Sequence, residues 1–114
     1  MAYDEFLADR LRKVFNDKNV ITEEKKMMGG LGFMVDDKLC IGIYKDALMA
    51  RTDPDLTEVL LKRKNAKQMI HGGRPMKGYL TIEADGFDME DDLEFWFQQC
   101  LDFNPKAKSS KNKK

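Results

Sequence analysis

The sequence is poor in the residues from which catalytic and metal centres are built. It has one histidine, His71, two cysteines, Cys40 and Cys100, and three prolines. The cysteines lie far apart in apolar surroundings without a CxxC pair, which reads as reduced core thiols rather than a disulfide or zinc site. No serine or cysteine adjoins His71, so nothing points to a nucleophilic triad, and a surface or core histidine is the expectation. Gly30-Leu31-Gly32 is followed by Val35 where a dinucleotide fingerprint needs glycine, and no GK[ST] follows. The acids from Asp85 to Glu94 lack the ligand order of a calcium loop. No apolar run approaches the roughly 20 residues of a membrane helix. Met1 to Leu7 carries Asp4 and Glu5 where a secretory signal is basic and then apolar, so a cytoplasmic location is expected. These absences predict a protein that is not an enzyme and has no cofactor and no metal.

At 114 residues, 42% hydrophobic and 35% charged, the composition fits one domain with its own core. That domain is expected over residues 1–105, with 106–114 a disordered lysine-rich tail. Formal net charge is zero but unevenly spread: the tail holds five lysines and no acid, which leaves the body acidic. Leu61 to Lys77 contains Lys62, Arg63, Lys64, Lys67, Arg74 and Lys77 and no acid, whereas Glu83 to Asp102 holds eight acids and no base. Such polarity either steers an anionic partner or is neutralised internally, one segment against the other.

Tyr3, Leu7, Leu11 and Val14 recur at helical spacing, and Phe6 and Phe15 widen the stripe into a first amphipathic helix. Val20 to Lys26 reads as a lead-in to the hairpin of Met27 to Tyr44. A two-residue turn at Asp36-Asp37 sets Val35 opposite Lys38, Phe33 opposite Cys40 and Leu31 opposite Gly42. Alternation then puts Leu31, Phe33, Val35, Cys40 and Tyr44 on one face and Met28, Met34, Leu39, Ile41 and Ile43 on the other. Two apolar faces imply a sheet strongly curved or covered on both sides. Lys45-Asp46 is a second turn and Ala47 to Thr52 a third strand. Asp53 caps and Pro54 opens a helix whose inner stripe is Leu56, Val59 and Leu60. Gln68 to His71 has strand character, Gly72-Gly73-Arg74-Pro75 reads as a loop, and Gly78 to Glu83 as a strand. The final helix is capped by Asp88, with Met89, Leu93, Trp96, Phe97, Cys100 and Leu101 inward, and Pro105 ends it.

Two of these stretches carry a resemblance. KKMMGGLGFMVDDKLC, Lys25 to Cys40, followed by GGRPMKGYL, Gly72 to Leu80, resembles the N-terminal domain of the TfoX/Sxy family of competence regulators. The surrounding pattern of elements agrees from Tyr3 to Asp102. The resemblance implies an α+β fold, with three helices packed on a mainly antiparallel curved sheet, of a type compared with winged DNA-binding folds. It also implies a role in regulating transcription, through DNA or a regulator protein, without an assigned catalytic set. The competence regulators carry a second, helical C-terminal domain; here a lysine tail follows the first, so a stand-alone N-terminal-like domain is expected.

The residues leave a short list of binding candidates: Arg74, Lys77, Lys62, Arg63, Lys64 and Lys67. A glycine-rich loop with two cations suits phosphate or carboxylate. The competing reading, favoured here, has Arg74 paired with an acid of the last helix. The methionines form either an adaptable partner surface or core filling, with Met28, Met34 and Met89 expected inward. The functional expectation is a non-catalytic regulatory or interaction module that binds a regulator protein or nucleic acid through the basic segment and tail. The alternative is a small-molecule binder or enzyme with a pocket beside the Arg74 loop. No membrane partner is expected, and homodimerisation through the hairpin or an edge strand remains open.

Overall fold

Asp4 starts the fold by accepting hydrogen bonds from the backbone N–H groups of Phe6 and Leu7, at 2.9 and 3.3 Å. These satisfy two of the donors a helix N-terminus leaves free. A computed structural model describes residues 3–27 and 29–107, so the expectations for Met28 and for residues 108–114 lie outside the described residues. Helix α1, Glu5–Asp17, buries Leu7, Ala8, Leu11, Val14 and Phe15. Phe6 does not widen its stripe: it is 74% exposed, because it projects to the side of the inward row.

Strand β1, Glu23–Met27, occupies what the sequence presented as a lead-in. Its Glu-Glu-Lys-Lys run is solvent-exposed at a sheet edge, so backbone pairing to its neighbour makes the strand without any apolar alternation. Arg12 of α1 grips it, with Nε and Nη2 donating to the two carboxylate oxygens of Glu24 at 2.6 and 2.8 Å. Strands β2, Gly30–Val35, and β3, Lys38–Tyr44, follow, then β4, Ala47–Arg51. Strand β5, Ala66–His71, and β6, Arg74–Ile82, complete an antiparallel six-stranded sheet in the order β1-β2-β3-β4-β6-β5. With helices α2, Thr57–Leu60, and α3, Glu90–Phe103, the fold is α+β.

Asp36 and Asp37 form the two-residue turn, both with positive φ (53° and 64°), the backbone that favours Asn, Asp and Gly in hairpins. Val35 pairs with Lys38 and Met34 with Leu39, but Phe33 pairs with Ile41 and Leu31 with Ile43. Cys40 is therefore an extra residue in β3, and the faces beyond it are exchanged relative to simple alternation. Cys40, Ile41 and Ile43 join Leu31, Phe33 and Val35 in the main core, whereas Tyr44 turns to the opposite face with Met34 and Leu39.

The main core lies between the sheet and helices α1 and α3. Phe15 of α1 stacks on Phe33 of β2 at 5.5 Å and meets Phe97 of α3 edge-on at 4.7 Å, so one aromatic junction joins the three elements. The second face closes on itself. Met34, Leu39, Met49 and Met69 are buried there, with Met27, Tyr44, Met76 and Tyr79 packed around them. Tyr44 and His71 meet edge-on at 6.1 Å across the width of β3, β4, β6 and β5, as on a concave surface. Unbranched thioether side chains suit so irregular a space.

Two further expectations are corrected. A 3₁₀ turn, Pro54–Leu56, precedes α2, and its tighter rotation carries Leu56 and Val59 off the inner face; they are 41% and 63% exposed, and Leu60 alone of the three is buried. Asp53 does cap that turn through Asp55 N–H. At α3 the cap position belongs to Met89, without a side-chain bond and 67% exposed, rather than to Asp88. Arg10 Nη2 holds the carbonyls of Phe87 and Asp88 at 3.1 and 3.2 Å, which moves the helix start one residue on. A final 3₁₀ turn, Asn104–Lys106, brings Asn104 Nδ2 to the Val35 carbonyl and Lys106 Nζ to 3.8 Å from Asp53. No described helix is long and apolar enough to cross a membrane.

Two outcomes follow for stability. A Cβ at Gly30 would collide with the Ile43 carbonyl oxygen, so Gly30→Ala should cost about 2–3 kcal/mol in urea unfolding by forcing β2 and β3 apart. Unchanged stability would refute that packing. The hydrogen bonds from Arg12 hold the Glu24 carboxyl below its usual range. Its contribution is therefore present above the ordinary carboxylate range and lost as pH falls through the lowered folded value. Glu24→Gln should cost roughly 0.5–1 kcal/mol at neutral pH, after discounting for solvent screening, and nothing in acid below that value.

Candidate interaction surface

The six cations of the basic segment are not gathered into one pocket. They are distributed around and along β5, an outer strand of the sheet. Lys62, Arg63 and Lys64 follow α2 and are exposed, Lys67 lies within β5, and Arg74 and Lys77 lie on β6. Two of them hold internal acids. Arg63 Nη2 is 3.4 Å from Asp92 Oδ1, and its guanidinium sits 3.6 Å from the centre of the Phe95 ring. Lys67 Nζ lies 3.1 Å from Glu83. Among the described residues Lys62, Lys64, Arg74 and Lys77 form no ion pair.

The pairing expected of Arg74 with the last helix is thus made by Arg63 instead. Arg74 begins a strand rather than occupying a loop: Gly72 and Gly73, with φ of 62° and 78°, make the whole turn. Its cross-strand partner is His71, so it stands at the tip of the β5–β6 hairpin.

The remainder of the Gly72–Leu80 motif builds a wide bulge. Gln68 pairs with Leu80 and Ile70 with Pro75, which leaves Met76 to Tyr79 facing Met69 alone. Three fittings hold the displaced backbone. Gln68 Nε2 lies 2.7, 3.1 and 3.1 Å from the carbonyls of Met76, Tyr79 and Met69 and donates to them. The Thr52 backbone N–H and hydroxyl both donate to the Gly78 carbonyl, at 2.7 and 3.1 Å. Gly78 has φ of 83°, and a Cβ there would stand 3.0 Å from the Thr52 carbonyl oxygen. The bulge leaves Lys77 exposed between half-buried Met76 and buried Gly78. An isolated glycine within a strand pattern signals such a bulge, so Gly78 was accessible to sequence reasoning. Gln68 and Thr52 carried no comparable signal, since their partners are backbone carbonyls.

His71 is exposed on β5 against Tyr44. Burial pushes the Cys40 thiol up to about 12, and burial raises that of Cys100 well above its ordinary range. One open groove of about 550 Å³ runs between Tyr44 and Ile70, with Ala47 and Thr81 in its lining and Asp46, Glu83 and Asp85 contributing acids. A second, of about 470 Å³, is lined by Ile21, Glu23, Met34 and Asp36 among others. Neither is lined by Arg74 or Lys77.

A test of the bulge separates its donor from its bulk. Gln68→Met keeps the volume and should cost about 1–3 kcal/mol in urea unfolding through unsatisfied carbonyls. Gln68→Glu should cost more at neutral pH, because it turns an acceptor toward acceptors. Equal stability of both variants with the parent would refute the role.

The family model of the TfoX N-terminal domain matches residues 20–104 of this 114-residue chain. The matched span contains both motifs and runs from just after α1 to the end of α3. No curated protein and no solved structure matches the chain. The chain belongs to the TfoX N-terminal domain family.

Proposed function

From that membership we propose that the protein is a non-catalytic regulatory module of the cytoplasm, acting in the control of competence and transcription by binding a regulator protein. Family membership supports a competence-related role. The observation that supports binding is the set of four cations without ion pairs, Lys62, Lys64, Arg74 and Lys77, exposed around one outer strand. Cations that do not serve the fold are available to an anionic partner.

Protein is favoured over nucleic acid by the way these charges are carried. A duplex is read by a helix or ribbon inserted into a groove, backed by phosphate contacts. Here the basic residues flank a strand, and the helices α1 and α3 are used in the core. The exposed Ile70, at 58%, adds apolar area that phosphates do not reward.

Capture from the native cell tests the reading. The full chain is compared with a variant carrying Lys62→Glu, Lys64→Glu, Arg74→Glu and Lys77→Glu, substitutions at exposed positions with little expected effect on stability. A protein enriched by the parent, lost with the variant and insensitive to nuclease is the expected result. Enrichment abolished by nuclease would transfer the function to nucleic acid. Equal capture by both forms would remove the basic segment from it.

A further inference from the structure

We infer that β5 is a strand-addition site, at which an extended acidic segment of a partner protein pairs with the free edge of the sheet. This inference rests on the reading of the protein as a protein-binding module and specifies how the partner is held.

The sheet has two outer strands, β1 and β5. An outer strand presents unpaired backbone N–H and C=O groups, and proteins commonly guard such an edge with charge. Strand β1 is guarded in that way by Glu23, Glu24, Lys25 and Lys26, and Arg12 pins Glu24. Strand β5, of six residues, carries one lysine, with Ile70 and His71 exposed beside it, and its first N–H, of Ala66, is held by the Arg63 carbonyl at 3.3 Å, which leaves the edge from Lys67 onward. Within the sheet it is therefore the edge better suited to receive another strand.

Charge selects the occupant. Six cations and no acid lie from Leu61 to Lys77, against the three acids Asp46, Glu83 and Asp85 of the groove that reaches Ile70, so the balance of charge around β5 favours a segment with carboxylates. Two of those cations already hold exposed acids of this chain, Lys67 with Glu83 and Arg63 with Asp92. Lys62 and Lys64 stand before β5 and Arg74 at its turn, with Lys77 in the bulge level with Met69, so carboxylates at both ends of an added strand would find partners. A second copy is a poor occupant, since antiparallel pairing of two β5 edges sets Lys62 and Lys64 of one copy toward Arg74 of the other, cation against cation.

The experiment uses the isotopically labelled full chain and a capped six-residue peptide of alternating glutamate and valine, with the lysine–valine peptide as control. NMR should show the glutamate peptide shifting the amides of Ala66–His71 and slowing exchange of those facing outward at least about fivefold, with α1 and α3 unmoved. The lysine peptide should have no effect. The four-glutamate variant should weaken the response at least about tenfold. Protection at β1, shifts confined to Lys62, Lys64, Arg74 and Lys77 without slowed exchange in β5, or no response would each overturn strand addition. The same response to oligothymidylate would assign the edge to nucleic acid and overturn it too. A silent peptide combined with nuclease-resistant capture would remove strand addition alone; failed capture with a responsive peptide would remove the cellular partner while leaving the edge competent.

Discussion

The extra residue at Cys40 decides which side chains meet which layer. With Phe33 opposite Ile41 rather than Cys40, three apolar residues of β3, Cys40, Ile41 and Ile43, serve the helix side within four positions. Leu39 and Tyr44 are left to the other side. A hairpin in unbroken alternation would send Ile41 and Ile43 among the methionines and expose the helices to a thinner core. The bulge also adds local twist, which suits a sheet whose second face is concave.

That concavity has a consequence for the surface. Because Met34, Leu39, Met49 and Met69 cover one another on the second face, no helix is needed there, and all of α1 and α3 is spent on the first. The outer strand β5 remains uncovered. The bulge of Met76 to Tyr79, fastened by Gln68 and Thr52, then determines where Lys77 stands along it. Backbone hydrogen bonds to side chains, worth about 1 kcal/mol each, thus set the geometry of a charged edge.

Much of this was legible in the sequence where local chemistry is strong. The Asp36-Asp37 turn, the Asp53 cap, the inward row of α1 and the Leu93, Trp96, Phe97 and Cys100 stripe of α3 follow from turn propensity and helical spacing. The two motifs also named the family. What was not legible depends on partners distant in sequence. Strand β1 exists by pairing with β2, so its charged residues gave no alternation. The register slip at Cys40 is a tertiary choice, made by the helix-side core. Arg63 reached Asp92 while Arg74 did not, because a two-glycine turn placed Arg74 at a hairpin tip. Exposed Leu56, Val59 and Met89 sit where a turn of helix was tighter or began later than periodicity implied.

The sorting of side chains between the two faces rests on the shifted register of the β2–β3 hairpin. Cross-strand backbone NOEs in the labelled protein test it directly. Contacts tying Phe33 to Ile41 and Leu31 to Ile43, with Val35 to Lys38 at the turn, are expected. Contacts tying Phe33 to Cys40 and Leu31 to Gly42 would contradict it.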